Sequence, residues 1–318
     1  MITGRARRIG AAAKQLIEPN QVGVVHSVFP KALNVGIGSA GLITLTTPES
    51  LVTPITLKTD LWGIDLTQLL LEPGMPVRFV DRDSMIVGDT LRVVRISSAD
   101  VWEGCLAIGQ VADRGRMINN LSLAKASLKK VGKDSGFLSI LDDVTSFDER
   151  RSLGEDASPY SKHAFAHIRK LTGHILSNDV RSASLEATNL VGLGLGLTPS
   201  GDDFLCGLIV VMSISRQLGV ETRSLGSFTE LVNSYAERGT NEISKAYLGL
   251  HSRGLVDTSV YDFIENIVHG ETTSLEKSVK RLCGYGHFSG TDVAVGILYG
   301  FEVMERIRAQ SGLGNKWL

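Results

Sequence analysis

Two hydrophobic periods divide this chain. Over the first part, short runs of alternating or β-branched residues occur at Val22–Val28, Ala32–Ile37, Leu42–Thr46, Ile55–Lys58, Val77–Val80, Met85–Val87 and Leu91–Ile96. Turn formers separate them: Pro30, Asn34, Gly41, Pro48, Pro54, Pro73-Gly74 and Gly88-Asp89. Many short strands at this spacing predict a small barrel or sandwich. Arg78, Arg92 and Arg95 alternate with apolar residues, as a sheet with one wet face requires. The residues ahead of Val22 are expected to form a leading helix.

From residue 114 the period lengthens towards that of a helix. Helices are expected over 115–131, 160–177, 180–191, 201–218, 227–238, 241–252, 258–269, 273–283 and 290–309. The last places Val293, Ile297, Leu298, Phe301, Met304 and Ile307 on one face. Asp142–Pro159 is acidic and aperiodic and is expected to be a loop, long enough to cover a site. The fold class is therefore α+β: a β-rich barrel- or sandwich-like domain over 1–113, then a mainly α-helical domain over 114–318.

One sequence pattern occurs twice in the helical part. Ser200-Gly201-Asp202-Asp203-Phe204-Leu205-Cys206-Gly207 and Ser289-Gly290-Thr291-Asp292-Val293-Ala294-Val295-Gly296 share Ser-Gly-X-Asp-X-X-X-Gly. A glycine, Gly196 or Gly286, stands shortly before each, and an apolar helix follows each. Two copies suggest two helices that begin alike, related by pseudo-symmetry. Helix capping covers part of the pattern, because a serine oxygen can accept from the first turn and a carboxylate suits the positive end of the dipole. On that reading Ser200, Asp203, Ser289 and Asp292 are caps. Gly201 and Gly290 are different, since glycine in a first turn costs stability. Asp202 adds a carboxylate that no cap needs. A bare first turn admits a ligand to the backbone N–H groups, and Gly192, Gly194 and Gly196 permit a tight approach. The expected site therefore centres on Gly196, Thr198, Ser200, Gly201, Asp202 and Asp203, with Ser289, Gly290 and Asp292 from the second copy.

A carboxylate pair opposes an anion unless a cation or a proton intervenes. Asp202 and Asp203 could hold a divalent ion, one could be protonated, or one could orient a nucleophile. His287, beside the second copy, is a candidate acid, base or ligand. Thr240-Asn241-Glu242-Ile243-Ser244 again resembles a helix start, with Ser244 one turn in from Thr240, and Asn189 lies one turn before Gly192. His163, His167 and His174 share part of one helix face without an acidic residue at ligand spacing, which fits a solvated face. Other classes are excluded: Gly192–Leu197 follows a helix rather than a strand, Ser200 lacks a nucleophile elbow, and no Gly-Lys-Ser/Thr loop occurs.

Composition narrows the class further. The chain has 318 residues, with 33 basic and 34 acidic side chains and a net charge of −1, so no nucleic-acid footprint is expected. Cys105, Cys206 and Cys283 lack disulfide or zinc spacing, and Cys206 lies in an apolar run as a core residue. The longest apolar stretch, Phe204–Ile214, is too short for a bilayer, and residues 1–17 lack a leader's apolar core. A cytoplasmic protein without membrane contact is the expectation.

The run Gly192–Gly207, with Gly-Leu-Thr-Pro-Ser-Gly-Asp-Asp at its centre, resembles the signature of the AllH family. Thr240–Ser244 and Gly286-His287-Phe288-Ser289-Gly290-X-Asp292 resemble that family's other motifs in the same order. Leu195 and Phe288 depart from the pattern, where a proline and a second serine are usual. The resemblance implies a subunit of oxamate carbamoyltransferase, which interconverts oxalurate plus phosphate with oxamate plus carbamoyl phosphate and also needs AllF-type and AllG-type subunits. It implies a small-anion pocket with Asp202, Asp203, His287 and Asp292 as catalytic candidates. Asn189, Gly196, Thr198, Ser200, Gly201, Thr240, Ser244, Ser289 and Gly290 are the substrate-binding candidates. Two alternatives stay open: an independent metal-assisted hydrolase or transferase using Asp202, Asp203 and Asp292, and a non-catalytic binding or assembly subunit. On the sequence alone, Asp202→Asn is expected to remove ligand binding and leave the melting temperature nearly unchanged.

Overall fold

The structure is a computed structural model that describes residues 1–133, 136–146, 153, 158–220, 224–284 and 286–311. The chain forms two compact units, Met1–Cys105 with Leu255–Thr258, and Leu106–Gly254 with Ser259 onward.

The first unit is a closed barrel. Its strands are β1 (Ile2–Gly10), β2 (Val22–Phe29), β3 (Ala32–Gly36), β4 (Leu42–Thr46), β5 (Thr56–Thr59), β6 (Pro76–Phe79), β7 (Ser84–Val87) and β8 (Leu91–Val94). They pair in the order β5-β4-β3-β2-β6-β7-β8-β1, and β1 returns to β5. Closure removes sheet edges, which leaves few unpaired backbone groups. Alternation does the rest: Leu33, Val35, Ile43, Leu45, Leu57, Val77, Phe79, Met85, Val87, Leu91 and Val93 are all buried, whereas Arg78 and Arg92 are exposed.

The expected leading helix is instead the strand that closes the ring. β1 runs parallel to β8 through Ile2–Arg5, then antiparallel to β5 through Ala6–Ile9, with a register shift between Ala6 and Arg8. Its ladder partners come from residues far along the chain, and these override the local preference of an Arg- and Ala-rich segment. Only Ala11–Gln15 (α1) is helical there. A ninth strand, β9 (Asp100–Trp102), which no pattern announced, pairs with the end of β1.

The second unit is helical. Its elements are α2 (Arg114–Val131), α3 (Leu141–Ser146), α4 (Pro159–Leu176), α5 (Val180–Thr188), α6 (Ser200–Ser213), α7 (Ser224–Gly239), α8 (Glu242–His251), α9 (Thr258–Val268), α10 (Thr272–Cys283) and α11 (Ser289–Gln310). A 3₁₀ turn, Phe137–Ile140, precedes α3. The expected loop over Asp142–Pro159 is therefore helical at Asp142–Ser146 and again at Pro159. Most of the positions between, and with them any role as a cover, lie outside the described residues. No helix among the described residues is long and apolar enough to cross a membrane.

At the centre of this unit lies the pair α6 and α11. α6 is buried from Ser200 through Met212; from Phe204 on it is apolar all round, as a helix buried on every side requires. It makes its most extensive helix contact with α11. The two backbones touch at the glycines of the repeated pattern. A Cβ on Gly207 would stand 2.2 Å from the Val293 carbonyl oxygen, and one on Gly296 would stand 2.1 Å from that of Phe204. Phe204 and Val293 occupy the same place in the two copies, so the contact is reciprocal. One turn further along, a Cβ on Gly300 would stand 2.9 Å from the Val211 Cβ, a contact with a side chain rather than with backbone. The Phe204 ring packs 5.2 Å from Tyr299, whose hydroxyl bonds Thr172 Oγ1 of α4 at 2.8 Å.

Backbone oxygens cannot yield to a new methyl group as a flexible side chain can. Gly207→Ala and Gly296→Ala should each cost about 3 kcal/mol or more in denaturant unfolding. Gly173→Ala in α4, where a Cβ meets nothing within 4 Å, should instead gain about 0.5–1 kcal/mol. Equal effects at the two kinds of site would contradict the glycine contact.

Candidate functional site

All the nominated residues lie in the helical unit, and most gather at the N-termini of α6 and α11. Capping is not what holds them. The N-cap of α6 is Pro199 and that of α11 is Phe288, and neither has a side-chain cap bond. Ser200 and Ser289 are thus the first helical residues rather than caps. The reason is local: Pro199, at φ −55° and ψ 145°, enters the helix directly and places Ser200 one position inside it.

The serines act across the pair. Ser289 Oγ of α11 shares a hydrogen bond of 2.7 Å with Thr198 Oγ1, and both hydroxyls favour the ionised form of Asp203 of α6. Ser200 of α6 in turn favours the ionised form of Asp292 of α11. Each serine therefore attends the aspartate of the other helix. Asp292 Oδ1 accepts the Phe137 N–H at 2.6 Å, while its Oδ2 and that of Asp203 are buried without a hydrogen-bond partner.

Burial dominates the electrostatics. It pushes the Asp203 carboxyl well above its usual range, and the neighbouring Asp292 charge adds to the rise. Asp292 is pushed up to about 7 by burial, against the Phe137 N–H and the Ser200 hydroxyl. Asp202 is raised as well, again by burial.

Asp202 is nevertheless a different kind of group. Its Oδ1 accepts the Gly192 N–H at 2.8 Å and its Oδ2 accepts from Thr240 Oγ1. The Ser244 hydroxyl lies beside the same carboxylate and favours its ionised form, yet makes no hydrogen bond of its own. The carboxylate thus ties the turn at Gly192 to the start of α8. Asn241 caps that helix, accepting from the N–H groups of Ile243 and Ser244, and its amide donates to the Leu197 carbonyl at 2.8 Å.

Gly201 also has a packing role. Its N–H donates to Leu193 O at 2.8 Å, and a Cβ there would stand 1.9 Å from Leu190 O. The first turn of α6 is therefore pressed against its own preceding loop at this position, not open to a ligand there. Gly290 is buried in the matching turn of α11.

Three candidates lie apart. Asn189 is exposed and donates to Leu185 O within its own helix. Gly196 is exposed at φ +98° with open space where a Cβ would be. His287 is exposed, its ring edge-on to Phe288 with centroids 5.3 Å apart. Sequence reasoning missed Phe137 and Lys133. Lys133 donates from Nζ to Gly286 O at 2.9 Å and from its backbone to Thr291 Oγ1. Neither carries a local signal, because both reach α11 from over a hundred residues away. His167, taken above as solvated, pairs through Nδ1 with Glu186 of α5 at 2.6 Å.

Among the described residues no group of three or more His, Cys, Asp or Glu side chains is placed to hold a metal ion. With both Asp202 oxygens engaged, the geometry lends no support to a three-carboxylate cation site.

Two expectations follow. Asp202→Asn replaces the charge-assisted bonds to the Gly192 N–H and the Thr240 hydroxyl by weaker neutral ones, and should cost about 1–3 kcal/mol, lowering the melting temperature by several degrees. An unchanged melting temperature would restore the earlier view of Asp202. For Asp292 the folded pKa lies above the unfolded one, so the native state keeps a proton that the unfolded chain releases. The stability it contributes is complete below about pH 4, the unfolded range, and is lost as pH rises through about 7. Melting curves should fall across that window, and Asp292→Asn should flatten the fall; parallel curves would contradict the assignment.

The match to known proteins covers both units. A model of the AllH family N-terminal domain matches residues 5–100, and a model described as oxamate carbamoyltransferase subunit AllH matches residues 190–301, which hold both copies of the pattern. No solved structure matches the chain. With most of its length matched by these two models, the chain belongs to the AllH family.

Proposed function

We propose that this chain is the AllH-type subunit of an oxamate carbamoyltransferase, acting with AllF-type and AllG-type subunits, and that its small ligand binds where α6 and α11 begin. The observation that carries this reading is the pair of buried, partly unpartnered carboxyls, Asp203 and Asp292, at equivalent places in the two helices. Family membership supplies the reaction.

In that reaction a phosphate oxygen attacks the carbamoyl carbon of oxalurate. The bond from that carbon to the oxamate nitrogen breaks, carbamoyl phosphate forms, and the nitrogen gains the proton that phosphate loses. An amide nitrogen leaves poorly as an anion, so a relay for that proton lowers the barrier. A carboxyl held at about 7 is matched to the task at neutral pH, since it takes up and gives back a proton with little penalty. Asp292 is the relay in this reading, and Asp203, which burial and the Asp292 charge push towards its neutral form, limits the local charge. Ser200, Ser289 and Thr198 orient the two carboxyls, Lys133 at the α11 end attracts the anionic ligand, and Asp202 with Thr240 and Ser244 braces the loop. His287 stands at the rim.

The test is phosphate-dependent consumption of oxalurate by the chain co-expressed with AllF-type and AllG-type subunits. Activity should require all three, and Asp292→Asn should lower kcat by about a hundredfold or more with assembly intact. Turnover by the lone chain that depends on a divalent ion would sink the subunit reading.

A further inference from the structure

Helix N-termini ordinarily offer N–H donors to anions, but here the Gly201 N–H is taken by Leu193 O. The buried atoms left without partners at the two helix starts are carboxyl oxygens, Oδ2 of Asp203 and Oδ2 of Asp292. Asp203 is 6% exposed and Asp292 is 0% exposed. Such an atom costs about 1–3 kcal/mol when left unsatisfied, and native proteins carry few of them. This fold carries the cost twice, at equivalent positions of the repeated pattern.

Charge decides what satisfies them. The neighbouring charges repel, and burial raises both carboxyls, so both are biased towards their neutral forms. Around it stand the Thr198, Ser200 and Ser289 hydroxyls and the Phe137 N–H, with Asp202 next in sequence and engaged elsewhere. A second carboxylate brought against these oxygens would be repelled. A divalent cation would lack a third carboxylate, imidazole or thiolate ligand among the described residues. A neutral N–H donor meets neither obstacle.

We propose that Asp203 Oδ2 and Asp292 Oδ2 accept N–H groups of a primary amide or ureido ligand, and so determine the specificity of this site for a carboxamide over a carboxylate. The inference rests on the ligand site of the proposed function but not on the reaction assigned to it. The two Asp Oδ2 atoms are the specificity-determining groups, and the carboxylate or phosphate end of the ligand lies outwards, towards Lys133.

Oxamate and oxalate separate the possibilities, because they differ in one amide group of the same size. Binding is measured by calorimetry on the full chain, alone and with its co-expressed partner subunits. Oxamate should bind at least about tenfold more tightly than oxalate. Asp203→Asn and Asp292→Asn keep the size of the side chain and present a donor to the ligand. Each should bring the ratio within about threefold of unity, with circular dichroism confirming the fold. Equal binding of the two probes by the unsubstituted chain overturns the proposal. So does binding of neither, a ratio that survives both substitutions, or magnesium alone stabilising the chain through these aspartates. Discrimination without oxalurate turnover in the three-subunit assay would refute the assigned reaction and leave this inference standing.

Discussion

The contact on which the helical unit depends is the mutual approach of two backbones at Gly207 and Gly296. Neither position has room for a methyl group, since the opposing atoms are carbonyl oxygens 2.2 and 2.1 Å from where a Cβ would lie. Contact this close fixes the distance and the register of α6 and α11 together. Because the glycines follow the serines and aspartates at the same spacing in both helices, fixing one pair fixes the others. Ser200 comes to Asp292, and Ser289 comes to Asp203. The arrangement of the candidate site is in this sense a consequence of packing two turns further along.

Burial is the second consequence. A helix pair this close at the centre of the unit leaves little water around its first turns, and the aspartates there respond. Adjacent residues diverge: Asp202 turns towards Gly192 and Thr240, which satisfy both of its oxygens, whereas Asp203 turns towards α11 and keeps one oxygen unpartnered. A helix places successive side chains on different faces, so two neighbouring carboxylates need not share a task. One fastens the loop to α8, and the other faces the opposite helix start.

Much of this was legible in the sequence, and the failures have physical causes. The strands from β2 to β8 and the long helices announce themselves by period, because each buries one face or is buried on all sides. β1 does not, since its ladder depends on β5 and β8, and no local pattern reports a partner more than fifty residues away. The repeated Ser-Gly-X-Asp pattern correctly singled out two helices that begin alike. Its explanation did not follow, because a cap and a first-turn residue differ by one position, which Pro199 and Phe288 decide. Gly201 was legible as unusual but not as packed, for the Leu190 carbonyl against it is visible only in three dimensions. Phe137, whose N–H meets Asp292, left no trace at all.

The likeness of the two helix starts also shows where they differ, and the differences set a direction. Asp202 of the first copy corresponds to Thr291 of the second, so the fastening carboxylate exists on one side only. On the other side Thr291 Oγ1 accepts the Lys133 N–H, and the Lys133 side chain reaches Gly286 O. One helix start is thus braced by an acid and the other is flanked by a base. The Phe137 N–H adds to this bias, because it favours the ionised form of Asp292 and not of Asp203, while the charge of Asp202 disfavours that of Asp203. Two equivalent carboxyls become unequal through neighbours that the repeat does not share. A pair made unequal in this way can keep a proton on one member and exchange it on the other, which two identical environments could not arrange.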